Sequence, residues 1–299
     1  MEEKKPNVKL IVLLSAAFCA VIALFSLYQQ SWQTMDVIIF MGQSNMSGAG
    51  GDASLAPELT EGAGYEYRAV TDPDNLYVLT EPFGENENSG ALDDTDICER
   101  NGSLVTAFVN AYYEETGTPV VAISASRGSS SLNGWLNNGL KEEAASRLAS
   151  AKQYLNSHKI NARHIYMVWF QGEADANLQT TADEYKSGMK TIFNYMSEQG
   201  VEACFVIELG PDLTDLEKHA EIMEAQVQLC GESDDFVMVS TLPAALTDEE
   251  MKDEGGVHFT QEALNLIGDD AGSNAGAYVS GLSSSGDAEE DVEDEDEEK

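Results

Sequence analysis

Positive charge is scarce in this sequence. Sixteen Lys and Arg stand against 53 Asp and Glu, which leaves a formal net charge of −37 over 299 residues. Nucleic acids and anionic membrane surfaces are bound through clustered cations, so the composition excludes a nucleic-acid-binding protein. Hydrophobic residues make up 42% of the chain, enough to bury a substantial core. We therefore expect a folded, acidic protein outside the cytoplasm with an uncharged partner.

Cysteine and histidine are also rare, with four of each. One Cys lies in an N-terminal apolar run, so the remaining three allow at most one disulfide bridge. A Cys204–Cys230 bridge is conceivable, but ordinary buried thiols are the favoured interpretation. No spacing of these residues predicts a metal site, and no glycine-rich nucleotide-binding motif follows the first predicted strand.

The first residues predict export. Three lysines precede an apolar run from Leu10 to Leu27, which as a helix would be about 27 Å long, close to the thickness of a bilayer core. The absence of a clear Ala-x-Ala site favours an uncleaved signal anchor over residues 10–28, with residues 1–9 as a cytoplasmic stub. A cleaved signal peptide is the alternative. The body would then be extracellular, either anchored to the membrane or secreted.

The body, residues 36–281 after a linker at 29–35, alternates short apolar runs with amphipathic stretches. The runs predict strands at 37–40, 120–123, 165–170, 203–207 and 236–240. The stretches predict helices at 104–116, 140–155, 182–196, 216–229 and 261–271. This alternation predicts an α/β fold, a three-layer α/β/α sandwich with a central parallel sheet. Residues 282–299, rich in acids and serine, are predicted to be a disordered tail.

Polar segments follow the predicted strands, where parallel sheets place their sites. Ser44 lies in the loop after the first strand and is either an exposed nucleophile or a helix N-cap. Among the histidines, only His258 lies in a glycine-rich loop with acids nearby, as a general base requires. His158 and His219 lie on polar helical stretches and are expected to be solvated.

Four motifs in order resemble the SGNH (GDSL-like) hydrolases, and within them the sialate O-acetylesterase and acetylxylan esterase group, carbohydrate esterase family 6. They are Gly42-Gln43-Ser44-Asn45-Met46, the block at 128–135, the block at 169–175, and the terminal His258-Phe259. The resemblance implies a flavodoxin-like fold and a serine esterase without metal or cofactor. It implies Ser44 as nucleophile and His258 as base. The implied oxyanion donors are the Ser44 and Gly128 N–H groups and the Gln171 side chain, and the implied supporting residues are Gln43, Asn45 and Glu173.

The third triad member is the point where the sequence departs from that family. The acid usually stands three residues before the His, and here that position is Gly255. Two inserted glycines that loop out would leave Asp253 in place, which is the favoured assignment. The alternatives are Glu254, a Ser–His dyad oriented by a backbone carbonyl, and an inactive site.

The resemblance implies removal of O-acetyl groups from carbohydrates through an acetyl-enzyme on Ser44. The substrate would be acetylated plant polysaccharide or O-acetylated sialic acid. Two alternatives stay open: a non-catalytic glycan-binding surface module with a degenerate site, and a carbohydrate O-acyltransferase. Trp135 is expected either to line a sugar platform or to lie in the core.

Overall fold

The computed structural model describes residues 33–85, 87, 99–252 and 257–290. The predicted stub and anchor, most of the linker, Asp253 and the end of the acidic tail lie outside those residues. No helix within the described ranges is long and apolar enough to cross a membrane.

A seven-stranded sheet forms the centre of the protein. The strands are β1 (Gln33–Gly42), β2 (Gly64–Tyr67), β3 (Leu76–Val78), β4 (Val120–Ser124), β5 (Ile160–Phe170), β6 (Ala203–Ile207) and β7 (Phe236–Ser240). Their order is β3-β2-β4-β1-β5-β6-β7, and all neighbours pair in parallel except β2 and β3, which are antiparallel. The predicted α/β fold is confirmed, with the correction that the sheet is mixed.

Helices cover both faces of the sheet. The α-helices are α1 (Ser44–Ser47), α2 (Val105–Thr116), α3 (Leu132–Asn137), α4 (Leu140–Ser157), α5 (Glu173–Asn177), α6 (Ala182–Ser197), α7 (Ala220–Glu232) and α8 (Gln261–Glu290). Helices α3, α4, α6 and α7 pack with one side of β1, and α2 and α8 pack with the other. The three layers follow from this arrangement.

Strand β1 illustrates why the sheet is buried on both faces. Val37 and Ile39 belong to the core under α3–α7, whereas Ile38 and Phe40 belong to the core under α2 and α8. All four side chains are fully buried. Continuous apolar runs of this kind are typical of strands covered by helices on both sides. Burial of each such side chain contributes about 1.5–3 kcal/mol to stability.

Helix α8 is longer than its predicted range of 261–271. It continues to Glu290, into the segment for which disorder was predicted. Much of its contact with α2 is made by Gly268, Gly272 and Gly276, where an added Cβ would lie 2.2–2.6 Å from α2 atoms or the residue preceding that helix. Ala271, Ala275 and Val279 are buried on the same side, so beyond Ile267 the core-facing side of α8 consists mainly of small residues, which give a weak apolar signal.

The two cysteines that the structure describes are both free thiols. Cys204 is buried in β6, and Cys230 is half-buried near the end of α7. Burial raises the pKa of the Cys230 thiol to about 12. The conceivable bridge between them is therefore not formed.

Candidate active site

The chain turns sharply where β1 ends, at the carboxyl edge of the sheet between β4 and β5. Gly42 has a φ of 138°, and a Cβ there would lie 2.1 Å from the Phe170 carbonyl oxygen. The next residue, Gln43, donates its N–H to that same oxygen at 3.1 Å. This turn starts α1 at Ser44 and places the Ser44 side chain at the edge of the sheet.

Ser44 and His258 lie in contact, although 213 residues separate them in sequence. His258 Nε2 is 2.9 Å from Ser44 Oγ, a distance at which the hydroxyl donates to a neutral imidazole. Ser44 is 8% exposed, so most of the residue is buried and a small part remains accessible to solvent. The structure thus brings the predicted nucleophile and the predicted base within reach of proton transfer.

Asn45 holds the backbone on both sides of His258. Its Oδ1 accepts from the Phe259 N–H at 3.3 Å, and its Nδ2 donates to the Val257 carbonyl at 2.9 Å. The same Nδ2 donates to Glu173 Oε1 at 2.6 Å. Asn45 is 2% exposed, so these bonds are made away from bulk water. The predicted supporting residue acts as a clamp that orients the His258 segment.

The His258 segment is further fixed by its pairing with the preceding turn. Lys252 donates its N–H to the His258 carbonyl at 2.7 Å, and Thr260 donates its N–H to the Glu250 carbonyl at 2.8 Å. Gly50 packs directly behind it, because an added Cβ would lie 3.0 Å from His258 Cβ. Asp253 lies outside the described residues, so its assignment as the triad acid stays a prediction.

Glu173 places a carboxyl group in the interior beside the base. It is 3% exposed, and burial raises its pKa against the opposing effects of its own N–H, of Asn45 and of charge on His219 and His258. Its Oε2 has no hydrogen-bond partner within the described part of the chain. Asn45, which bonds to both Glu173 and the Val257 carbonyl, links this buried carboxyl group to the His258 segment.

One sequence expectation about the surroundings is wrong, that of a solvated His219, and the structure decides between the two alternatives for Trp135 in favour of the core. His219 is 2% exposed, and its Nδ1 lies 2.8 Å from the Gly210 carbonyl, because the ring closes the loop that leads into α7. Trp135 is fully buried and not part of a sugar platform. Its Nε1 donates to Ser130 Oγ at 2.9 Å, and its ring packs edge-on against Trp169 at 5.1 Å.

The loop after β4 carries the Gly128 N–H, which is predicted from the sequence to be an oxyanion donor together with the Ser44 N–H. Arg127 donates its N–H to the Gly42 carbonyl at 2.8 Å, which ties this loop to the end of β1. Gly128 follows in a turn. Among the described residues, neither the Ser44 N–H nor the Gly128 N–H has an acceptor. Both groups are therefore available to a ligand.

Gln171 lies in the site, but its amide hydrogens are already engaged. It is fully buried, and its Nε2 donates to the Ser130 carbonyl at 2.9 Å and to Asp175 Oδ2 at 2.6 Å. Gln43 Oε1 lies 3.3 Å from the same nitrogen and accepts from the Ala174 N–H at 3.2 Å. To donate to an oxyanion, Gln171 would have to release one of its two shorter bonds.

Metal-binding donor sets are absent from the part of the chain that the structure describes: no group of three or more His, Cys, Asp or Glu side chains there could hold an ion. The chemistry available from these residues is proton transfer between Ser44 and His258 beside two unpaired backbone N–H groups. This combination suits acyl transfer.

Comparison with known proteins assigns the family. Two solved structures share the fold: a protein from Arabidopsis thaliana is 19% identical, with 81% of this chain and 98% of that chain covered and a TM-score of 0.57. The second, NanS, is 12% identical, with 84% of this chain and 98% of the NanS chain covered and a TM-score of 0.58. No curated protein sequence matches this chain significantly.

A family model, described as "Carbohydrate esterase, sialic acid-specific acetylesterase", matches residues 34–275, which include Ser44 and His258. That range is most of the chain. The chain therefore belongs to this carbohydrate esterase family and is a carboxylic ester hydrolase.

Proposed function

We propose that this protein is a serine esterase that removes O-acetyl groups from carbohydrates through an acetyl-enzyme on Ser44. The observation that carries the proposal is the 2.9 Å contact between Ser44 Oγ and His258 Nε2. It lies at the carboxyl edge of the sheet, near the N–H groups of Ser44 and Gly128, which have no acceptor among the residues that the structure describes. A nucleophile, a base and anion donors are the three parts that acyl transfer needs.

In the first step His258 Nε2 accepts the Ser44 hydroxyl proton as Oγ bonds to the acetyl carbonyl carbon. The carbonyl oxygen becomes an oxyanion and is held by the Ser44 and Gly128 N–H groups. When this intermediate collapses, the bond from the carbonyl carbon to the sugar oxygen breaks. His258 returns its proton to that oxygen, so the sugar leaves as an alcohol.

In the second step water attacks the acetyl-enzyme. His258 Nε2 takes a proton from the water as its oxygen bonds to the acetyl carbon. The second oxyanion occupies the same two donors, then the bond to Ser44 Oγ breaks and His258 returns the proton to Oγ. The products are acetate and free enzyme, and no cofactor is consumed.

The supporting residues act on His258 and on the loops. Asn45 fixes the His258 backbone, and Glu173 supplies negative charge when the imidazole is protonated. Asp253 is the proposed partner of the other ring nitrogen. Gln171 holds the loop that bears Gly128 through its bond to Ser130, and it is a third oxyanion donor only if that arrangement opens.

The proposed substrate is an acetylated plant polysaccharide or O-acetylated sialic acid, met outside the cytoplasm. Residues 10–28 are the proposed membrane anchor, and their cleavage would make the protein secreted. A degenerate, non-catalytic site is not favoured, because the Ser44–His258 contact is retained. Acyl transfer to a sugar would use the same acetyl-enzyme, and product analysis with an added sugar acceptor separates it from hydrolysis.

The test compares the full chain with its Ser44→Ala and His258→Ala variants. Acetate release is measured from p-nitrophenyl acetate, acetylated xylan and O-acetylated sialic acid in parallel. The proposal expects both variants to lose release from every substrate that the parent protein hydrolyses. Undiminished release by folded Ser44→Ala protein would refute it, and the preferred natural substrate identifies the sugar class.

A further inference from the structure

A broad groove lies between α3 and α6, apart from the Ser44–His258 pair. Its volume is about 970 Å³. Residues of α3 and of the first turns of α6 line it, together with Leu178, Gln179 and Thr180 from the loop between α5 and α6. Asp175 forms part of its lining. A volume of this size is at the upper end of what small-ligand pockets have, so it offers room for more than one sugar ring.

The lining of the groove is polar but carries no positive charge. Asn133 and Asn137 place amides in the lining and bond to each other at 2.8 Å, with Asn137 Nδ2 as donor. Ser187 and Thr191 add hydroxyls, of which that of Thr191 donates to the Ser187 carbonyl at 2.9 Å. Leu178, which is 66% exposed, adds an apolar patch against which a sugar ring can pack. Hydroxyl-rich ligands are held by side chains of these types.

The charged residues of the lining are all acids. Asp183 and Glu184 line the α6 side, and no Lys or Arg is among the residues that form the groove. Lys186 lies behind this side, where it is mostly buried and pairs with Glu232 at 3.0 Å and with Asp183 at 3.8 Å. Carboxylates are recognised chiefly by Arg and Lys, so an anionic sugar would meet repulsion from the lining acids and no Lys or Arg in the lining itself. Charge complementarity therefore favours a neutral occupant.

The groove is coupled to the active site through Asp175. Its Oδ2 accepts from the Leu132 N–H at 2.9 Å, at the start of α3, and from Gln171 Nε2 at 2.6 Å. Leu132 is the fourth residue after Gly128, the proposed oxyanion donor. The groove thus begins next to the loop on which the proposed chemistry depends.

We infer that the α3–α6 groove binds a neutral, hydroxyl-rich glycan chain and so discriminates against anionic glycans. Its link to catalysis rests on the proposed function, because the bound chain would present its acetylated unit to Ser44. The groove itself is a binding site whose occupancy can be measured without any turnover.

The first experiment measures binding by the full chain carrying Ser44→Ala, which prevents turnover. Calorimetric titrations use xylohexaose as the neutral probe and hexagalacturonate as the anionic probe. Ser187→Trp fills the groove, because Ser187 is exposed on its α6 wall. Asn194→Trp is the matched control, since Asn194 is exposed on the same helix but does not line the groove.

The inference expects the Ser44→Ala protein to bind xylohexaose and not hexagalacturonate. Adding Ser187→Trp should weaken xylohexaose binding by about tenfold or more, a loss of about 1.4 kcal/mol, whereas Asn194→Trp should not. Thermal melts of both Trp variants check that each is folded. Absent xylohexaose binding, tighter binding of hexagalacturonate, or equal affinity in the Ser187→Trp protein would each overturn the inference.

The second experiment uses the active full chain and separates this inference from the proposed function. Ser187→Trp should raise KM for acetylated xylohexaose about tenfold, whereas Asn194→Trp should leave that KM and kcat/KM for p-nitrophenyl acetate within twofold of the parent. An unchanged KM for the hexasaccharide in a protein that hydrolyses p-nitrophenyl acetate would refute the groove alone. A parent chain that hydrolyses none of the esters would refute the proposed function, while the binding result would stand.

Discussion

Replacement of Asn45 by Ala tests whether the base is held through its backbone. The side chain makes three bonds, to the Phe259 N–H, the Val257 carbonyl and Glu173 Oε1. Phe259 and Val257 flank His258 in sequence, so the variant removes support from both sides of the imidazole. It also removes the side-chain donor of Glu173 Oε1. Because Oε2 has no partner among the described residues, neither carboxylate oxygen would then accept a bond from a side chain there.

The expected cost follows from the types of bond that are lost. A buried hydrogen bond to a charged group contributes about 1.5–3 kcal/mol and a neutral one about 0.5–1.5 kcal/mol. One charged and two neutral bonds therefore sum to about 2.5–6 kcal/mol. Folded domains have about 5–15 kcal/mol of net stability, so Asn45→Ala should fold but melt early. A displacement of His258 by about 1 Å should lower kcat about 100-fold.

The assay combines denaturant unfolding with steady-state kinetics on p-nitrophenyl acetate. Asn101→Ala is the matched control, because Asn101 donates to the Ala49 carbonyl on a nearby loop but is exposed and does not contact the His258 segment. We expect the control to lose less than about 1 kcal/mol of stability, and to keep kcat within about twofold. A kcat for folded Asn45→Ala protein within twofold of the parent would show that the clamp does not orient His258.

A polarity exchange sharpens this test. Asn45→Asp keeps the shape but sets an oxygen against the Glu173 carboxylate, so it should impair the protein at least as much as Asn45→Ala. Adding Glu173→Gln restores one donor to that pair, and the double variant should regain part of the lost stability. Strictly additive effects would contradict direct contact between the two side chains.

Two further predictions concern His258 packing and buried charge. Gly50→Ala should reduce kcat at least tenfold, because its Cβ would lie 2.2 Å from the Phe259 carbonyl oxygen. Gly231→Ala is the control, since a Cβ there has no contact within 4 Å. It should leave kcat unchanged and raise stability by up to about 1 kcal/mol. Equal kinetics of these two variants would contradict the packing. Glu173→Gln should lower kcat about tenfold, a loss of about 1.4 kcal/mol. The melting temperature of this variant minus that of the parent should increase as pH rises above about 4.5. Because the pKa of Glu173 is raised on folding, the folded parent keeps a proton that the unfolded chain has released, so it loses stability as pH rises through that window. A melting-temperature difference that does not change with pH would refute this reasoning.

The fold was largely predictable because its strands are long apolar runs. The two strands that were missed, β2 and β3, have four and three residues and include polar Glu66 at an interior position. Such short runs carry no periodic signal, and their place in the sheet is set by pairing with β4. The end of α8 was missed for a related reason, since the core-facing residues after Ile267 are mostly glycine and alanine, which give a weak apolar signal.

The sequence indicated that Ser44 and His258 would meet, as they do in the structure, but it did not indicate most of the contacts around them. Ser44, His258 and Gly128 could be named from their loops, because loops at the carboxyl edge of a parallel sheet converge. The clamp formed by Asn45 joins residues more than 200 positions apart, and the engagement of Gln171 by Asp175 depends on rotamers. His219 was misjudged because the polar residues around it hide a ring that turns inward.

Covalent trapping of the nucleophile tests the central claim most directly. The full chain is treated with a fluorophosphonate, and its acetate release and the modified peptide are measured together. The account predicts one phosphonyl group per chain on Ser44, loss of activity in proportion to labelling, and no labelling of the Ser44→Ala variant. Full activity in a completely labelled protein, or labelling of another serine with equal loss of activity, would contradict it.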